Sequence, residues 1–559
     1  MKEVALVNEL FLPFGLEGYR WSAYCVCNVT LAVLCSISIA VATGHNTRRL
    51  ARPAFMVVTL THLIFQWPLA LFSPIFERSL ADFWFFAASI HVPVVAGILW
   101  VVVTPRLTAS IATSEDPRKL RIQNISTGSQ AILLALFAGL TTLYLSRVGW
   151  RCTGLYAMLF DPELALLARE TSGKLLGIGL ASYGYGVLAN VVCPLVMYTS
   201  LLRVNAALTE RQFAKAVTWI TIAIFTLPVV LLPGAKGNLL PTAIVLGIGI
   251  VATRGTWMSR IAVAACVFGT GFLLLSATEV LRERQVFTGG CYDFGACVSR
   301  HDACSEASTL LQSLRHRDLS LGLFGSTIND LESDLHAACS RKQQSYESSR
   351  CISRQMVKSR DASPTGRDSM PTGTGDVTYP MGQYASRMGQ YAIGIAYRLG
   401  RVPVQVASWY HLYVAEHGSP GIYALPLSSI LYGRRVIMPI RVHDAYYHIY
   451  STGDRTSTGT APTSFLLAYP AYLGFAGILL AMTALLFFDL LACVVFHRLP
   501  SSLRLAGIGL IAVGCMNLIL SDFGTTMLSH GTAAALLLLF SLSFVEKRKA
   551  KKTHLMLSP

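Results

Sequence analysis

The feature that most constrains this chain is a recurring run of about twenty apolar residues, the length an α-helix needs to cross a hydrocarbon core about 30 Å thick. Such runs lie at 23–43, 54–73, 83–103, 129–147, 175–200, 216–232, 239–253, 261–277, 474–496, 505–520 and 526–545. They predict an all-α polytopic membrane protein with about 11 transmembrane helices. The runs 239–253 and 505–520 are short for a full crossing, so the count is open by one hairpin. Composition agrees: 53% of the 559 residues are hydrophobic and 14% are charged, against roughly 25% charged in an average soluble protein. A soluble globular domain, a disordered scaffold and a disulfide-rich secreted miniprotein are excluded.

The formal net charge of +16 is read as topology, because membrane proteins retain Lys and Arg in cytoplasmic loops; no nucleic acid partner is expected. With the N-terminus outside, the cytoplasmic loops hold Arg48, Arg49 and Arg52, then Arg106, Arg118, Lys119 and Arg121, then Arg203, Arg211 and Lys215, then Arg254 and Arg260, then Arg498 and Arg504. The basic tail 546–559 adds five more. The short outer loops hold Lys2, Arg20, Arg78, Arg147, Arg151, Arg169, Lys174 and Lys236. This bias places the N-terminus outside and the C-terminus in the cytoplasm. Residues 4–16 contain Glu9, Pro13 and Gly15 without a basic lead or a small-residue cleavage site, and read as an interfacial segment.

The domain plan that follows is an N-terminal membrane region 1–277, a large outer loop 278–461 between helices 8 and 9, a C-terminal membrane region 462–545, and the tail. A loop so long is usually functional. Its part 288–380 is a flexible, Cys-containing insert rich in Ser, Thr, Gly, Asp and Arg; 383–450 is aromatic, amphipathic and expected to be helical. Seven cysteines (25, 27, 35, 193, 266, 493 and 515) fall in or beside apolar runs, where thiols act as small hydrophobes. The other six, Cys152, Cys291, Cys297, Cys304, Cys339 and Cys351, permit three disulfides in an oxidising compartment, with connectivity open. Zinc is the competing reading through His301 and Cys304, but paired C-x-x-C spacing is absent and no metal is expected.

Signatures of soluble enzymes are missing: there is no P-loop, no H-E-x-x-H and no nucleophile elbow. The informative stretch begins at Arg398, where Arg398, Arg401, Gln405, Ser408 and His411 recur at helical spacing among Tyr397, Leu399, Val402, Val404, Val406, Trp409, Tyr410 and Leu412. Two readings stand side by side. One is a helix lying in the interface with its cations snorkelling to headgroups; the other is a cradle for a phosphorylated substrate, since guanidinium forks match phosphate oxygens. Further on come Arg434, Arg435, Arg441 and Arg455, with His443, Asp444 and His448 among many tyrosines. Inside the membrane the polar positions are His62, Gln66, Asn190, Lys236, Asp489, Asn517, Asp522 and His530, which should face cavities because lipid penalises them. Lys236 sits in the turn Leu232-Pro-Gly-Ala-Lys-Gly-Asn238, whereas Asp489 is read as a solvated helix-end residue. No central ion pathway or internal repeat is visible, which weighs against a transporter.

The order of these parts resembles the bacterial O-antigen and capsule repeat-unit polymerases, the Wzy-type family, which look related to the O-antigen ligases. The resemblance rests on Lys236-Gly237 between two short spans, Tyr397-Arg398-Leu with Pro403, and the run Trp409-Tyr410-His411-Leu-Tyr413. It rests also on Thr460-Ala-Pro-Thr-Ser-Phe-Leu-Leu-Ala-Tyr469 leading to Leu473-Gly-Phe-Ala-Gly477. It implies a GT-C-like fold in the bacterial inner membrane, with the large loop periplasmic. It implies transfer of a growing glycan from an undecaprenyl diphosphate carrier to a lipid-linked acceptor, a chain-length regulator as possible partner, and no cofactor. Lys236, Arg398 and Arg401 would then lie near the diphosphate, with Arg434, Arg435 and Arg441 as secondary contacts. His443, His448 or Asp444 would serve as base. The family often has Arg where this chain has Lys236, and the insert 288–380 has no counterpart. A ligase reaction and a glycan transporter are the alternatives.

Overall fold

The structure is a computed structural model and describes residues 18–45, 49, 51–71, 80–111, 125–161, 164–176, 180–234, 238–253, 297, 402–425, 428, 432, 436–446, 461 and 463–557. Among the described residues the regular structure is helical, with no strand. In lipid an isolated segment satisfies its backbone N–H and C=O groups only by coiling on itself, so apolar runs of this length become helices. Among the described residues eight helices are long and apolar enough to cross a membrane, and the protein is a helical, membrane-embedded one.

The first three of these crossings are α1 (Gly18–His45), α2 (Pro53–Thr61, continued through a π-turn His62–Gln66 into Trp67–Leu71) and α3 (Leu80–Val103). After the short α4 (Pro105–Ile111) come α5 (Thr127–Val148), α6 (Gly154–Phe160), α7 (Ala165–Leu176), α8 (Leu180–Val187, a π-turn Leu188–Val192, then Cys193–Thr209), α9 (Phe213–Val230) and α10 (Leu239–Thr253). Helix α11 spans 402–417. It is followed by α12 (Met438–Tyr446), α13 (Phe465–Leu473), α14 (Phe475–Arg498), α15 (Ser501–Leu520), α16 (Phe523–Leu528) and α17 (Thr532–Leu557). The other five crossings are α5, α8, α9, α14 and α15.

Three expectations need correction or narrowing. The run 526–545 is not continuous: Gly531 at φ +77° breaks it between α16 and α17, and Asp522 caps α16 by accepting the Thr525 backbone N–H at 2.9 Å. Helix α10 is shorter than a full crossing, and 261–277 lies outside the described residues. The short outer loop expected between the runs 129–147 and 175–200 holds α6 and most of α7, with Leu155, Ala157, Leu164 and Ala168 buried.

Large apolar side chains cover the outer faces of some crossings and also fill the interior, where Phe55, Phe65, Phe86, Phe488 and Phe496 are fully buried, while small residues let helices approach closely. Val26, Leu34, Ile37 and Val41 of α1 and Phe213, Val217, Ile224 and Phe225 of α9 are exposed. Glycines mark the closest approaches; a Cβ on Gly97 of α3 would stand 2.2 Å from Val58 Cγ2 of α2. Asp489 overturns its expected role. It is fully buried with Arg52, and its carboxylate accepts from the Arg52 guanidinium, the Ala54 backbone N–H at 3.0 Å and the Trp100 indole N–H at 3.0 Å. Arg52, expected as a loop cation, directs its other nitrogen to Thr104 Oγ1 at 2.8 Å and Thr104 O at 3.0 Å. A buried charge is tolerable when paired and hydrogen-bonded, and this cluster pairs the two charges and hydrogen-bonds both terminal guanidinium nitrogens, leaving only Arg52 Nε without an acceptor among the described residues, while joining α2, α3 and α14.

Candidate functional site

At the opposite ends of the crossings, turns and short helices form a layer. Cys152, just before α6, is bridged to Cys297 across 145 residues of sequence, with Cα atoms 5.6 Å apart. This places one of the five cysteines of the long segment beside the α5–α6 connection; Cys291, Cys304, Cys339 and Cys351 lie outside the described residues. The turn after α9 is clamped beneath the same connection. Leu155 N–H donates to Leu232 O at 3.0 Å, and a Cβ on Gly154 would come within 2.0 Å of Pro233 O. On the far side of the turn, Asn238 Nδ2 donates to Tyr185 Oη at 3.1 Å, and that hydroxyl donates to Val230 O at 2.9 Å. Lys236 itself lies outside the described residues.

Helix α11 is the central element of the layer. The polar stripe does not lie on a surface: Gln405, Ser408 and His411 are all buried, as are Val404, Val406, Ala407, Trp409 and Tyr410. The reading of an interfacial helix is therefore replaced by a core helix between the crossings. Its polar positions are tied locally, with Ser408 Oγ–H donating to Gln405 O at 2.8 Å. His411 stands edge-on to Phe85 and Phe86 of α3, with ring centroids 5.8 and 5.2 Å away. Tyr410 Oη–H donates to Ala461 O at 2.6 Å. Burial pushes this phenol up from its ordinary pKa, Asp522 adds to the rise and a hydrogen bond with Tyr472 opposes it, so Tyr410 acts as a neutral donor.

Helix α12 packs on α11 through Trp409 stacked over Tyr446 at 6.0 Å and through the Tyr446 hydroxyl donating to Glu416. Of the sequence-predicted site residues, α12 carries Arg441 and Asp444, both exposed, and His443, buried, with His443 Nδ1 3.6 Å from Asp444 Oδ1. These three share one helix of nine residues. Arg398, Arg401, Arg434, Arg435 and His448 lie outside the described residues.

The turn from α13 into α14 explains the small-residue pattern read in the sequence. Ser464 caps α13, its Oγ accepting from Leu466 N–H at 3.3 Å and donating to Leu518 O at 3.2 Å. Gly474 ends the helix at φ +60°, a left-handed conformation suited to glycine. A Cβ on Gly477 would lie 2.0 Å from Tyr469 O, so α14 folds back tightly against α13. Between α11, this turn and Phe85 lies a cavity of about 490 Å³, lined mainly by apolar groups, with His411, Ser419 and Tyr472 as its polar side chains. Ser419 Oγ–H donates to Tyr472 O.

Deeper among the crossings lies a polar chain that sequence reading identified only as scattered residues. It links Trp67, Ser36, His62, Gln66, His91 and Asn28 through side-chain hydrogen bonds of 2.5–3.1 Å. An indole N–H only donates, and the Gln66 amide donates toward His91 and accepts from His62, which gives every link one direction. Trp67 donates to Ser36, Ser36 to His62 Nε2, His62 Nδ1–H to Gln66 Oε1, Gln66 to His91 Nδ1, and His91 Nε2–H to Asn28 Oδ1. Both imidazoles are neutral in this arrangement. The π-turn His62–Gln66 brings both of its end residues to the α1 and α3 side, and such turns recur at functional sites. Among the described residues no three or more His, Cys, Asp or Glu side chains gather as metal ligands.

No family model, no curated protein and no solved structure matches the chain.

Proposed function

We propose that this protein is a membrane glycosyltransferase that joins undecaprenyl diphosphate-linked oligosaccharide repeat units on the outer face of a bacterial inner membrane, with a GT-C-like arrangement. The N-terminus is outside, the C-terminus is cytoplasmic and 278–461 is periplasmic. The observation that carries the reading is the burial of α11 within the long polar segment: its end walls a cavity with the α13–α14 turn, and its flank packs against α12, the helix that bears the exposed Arg441 and Asp444. A lipid-linked diphosphate would use an apolar cavity for its chain and guanidinium groups of the same segment for its phosphates.

The leaving group is a diphosphate, so cations that neutralise its developing charge lower the barrier without a metal. Lys236, Arg398 and Arg401 take that role, with Arg434, Arg435 and Arg441 on the outer phosphate or glycan. The acceptor hydroxyl gives its proton to His443, His448 or Asp444; imidazole suits the task because its ordinary pKa lies near working pH. The test is the polysaccharide ladder made by cells carrying Arg398→Ala, Arg401→Ala or Arg441→Ala protein at normal membrane abundance. Loss of long chains with accumulation of single repeat units supports the reading, and an unchanged ladder in all three removes it.

A second reading, a carrier of lipid-linked glycan, is favoured by the polar chain from Trp67 to Asn28, since polar residues within crossings often mark transport pathways. Movement of labelled lipid-linked glycan across proteoliposomes, abolished by Gln66→Leu, would select it.

A further inference from the structure

We infer that the cavity between α3, α11 and the α13–α14 turn binds the hydrocarbon chain of a membrane lipid, admitted between Phe85 and Phe475. Its volume of about 490 Å³ falls in the range of about 300–1,000 Å³ typical of small-ligand sites. The lining is chiefly hydrocarbon: Phe85, Leu412, Val414, Pro470, Ala471 and Leu473. Ordered water needs two to four polar partners per molecule, and the polar groups here are few. A chain of CH₂ or isoprene units satisfies the remaining wall.

The route is set by aromatic rings. Phe85 lines the cavity and meets the ring of Phe475 edge-on at 5.2 Å. Phe475 is 74% exposed and Leu479, one turn along α14, is 71% exposed; on a crossing helix these side chains face lipid. The Phe85–Phe475 pair therefore stands between bilayer and cavity at the start of α14, just after Gly474. Ser419 and Ala415 are exposed on α11 and the segment after it, so the polar end of the lipid has a path to water. Helix α11 is held against this wall by Tyr410 on Ala461 and by Ser419 on Tyr472, which gives the cavity a fixed shape. The inference does not depend on glycan transfer, because a carrier of lipid-linked molecules would need the same site.

The test is photolabelling of the full-length protein in phosphatidylglycerol and phosphatidylethanolamine nanodiscs. One arm carries a phospholipid with a diazirine at mid-chain, the other a diazirine-tagged polyprenyl phosphate. Adducts are mapped by peptide mass spectrometry. Labelling of Leu412, Ala415 or Leu473 in either arm supports the site, and the stronger arm identifies the lipid. Ala415→Trp, at an exposed position, should lower these adducts about tenfold, equivalent to one decade in affinity, while Leu479 labelling stays constant as the bilayer control. Val414→Phe is the second variant, used with Ala415→Trp on monodisperse protein. Adducts confined to Leu479, or cavity adducts that neither substitution lowers, would overturn the inference. Loss of cavity labelling with an intact polysaccharide ladder would uphold the lipid site and remove glycan transfer from it.

Discussion

Removing the Asp489 carboxylate gives the sharpest test of the packing scheme. Asp489→Ala leaves the Arg52 guanidinium, which is fully buried, without its counter-ion, and strips the acceptor from Ala54 N–H and Trp100 Nε1–H. Breaking one side of a buried pair costs about 3–5 kcal/mol. The two neutral donors add about 1 kcal/mol each at the lower end of the range for an unsatisfied buried group. The expected loss is about 5–7 kcal/mol, most of the stability of an ordinary domain. Asp489→Asn keeps a carbonyl acceptor but loses the charge, and should fall between Ala and the parent. The double variant Arg52→Met, Asp489→Leu removes both charges and fills similar volume, so it should recover most of the loss, as replaced buried pairs do elsewhere. The assay is equilibrium unfolding in mixed micelles with rising sodium dodecyl sulfate, followed by tryptophan emission. A loss below about 1 kcal/mol for Asp489→Ala, outside the range for breaking a buried pair, would refute the reasoning. So would a double variant no more stable than the single one.

Other outcomes follow from the same contacts. Reducing the Cys152–Cys297 bridge, which closes 145 residues, should cost at most about 5 kcal/mol in the chain-entropy treatment, with slower migration on non-reducing gels and faster proteolysis; identical migration with and without reductant would contradict it. Gly477→Ala drives a Cβ to 2.0 Å from Tyr469 O and should abolish monodisperse protein. Gly139→Ala, where nothing lies within 4 Å, should not. Gln66→Leu interrupts the polar chain and should cost about 1–2 kcal/mol, the scale of interhelical hydrogen bonds in membranes, read by the same unfolding assay.

Much of the scaffold is legible in residue order because its causes are local. Apolar length makes α1, α3, α5 and α14 helices at nearly the expected positions, Ser464 caps α13, and Gly474 stops it. The candidate site is legible only in outline. The spacing of Gln405, Ser408 and His411 predicts a common helix face, and they do share α11, but spacing alone cannot say whether that face meets headgroups or the interior. Phe85, His411 and Tyr472 meet at the cavity from three segments far apart in the chain. Asp489 carried no local signal either: a carboxylate nine residues before a basic helix end reads as solvated until its partners are known.

Residue order by itself determined that this chain is a bundle of apolar helices with a long polar segment before the last crossings, since backbone satisfaction in lipid and the approximate length of a crossing act on each stretch separately. Only the tertiary structure decided which polar groups meet. Arg52 and Asp489, 437 residues apart, and the chain from Trp67 to Asn28 exist because burial in a low-dielectric interior makes every unpaired polar group costly. That cost is relieved by whichever partners the packing of neighbouring helices brings within hydrogen-bond reach.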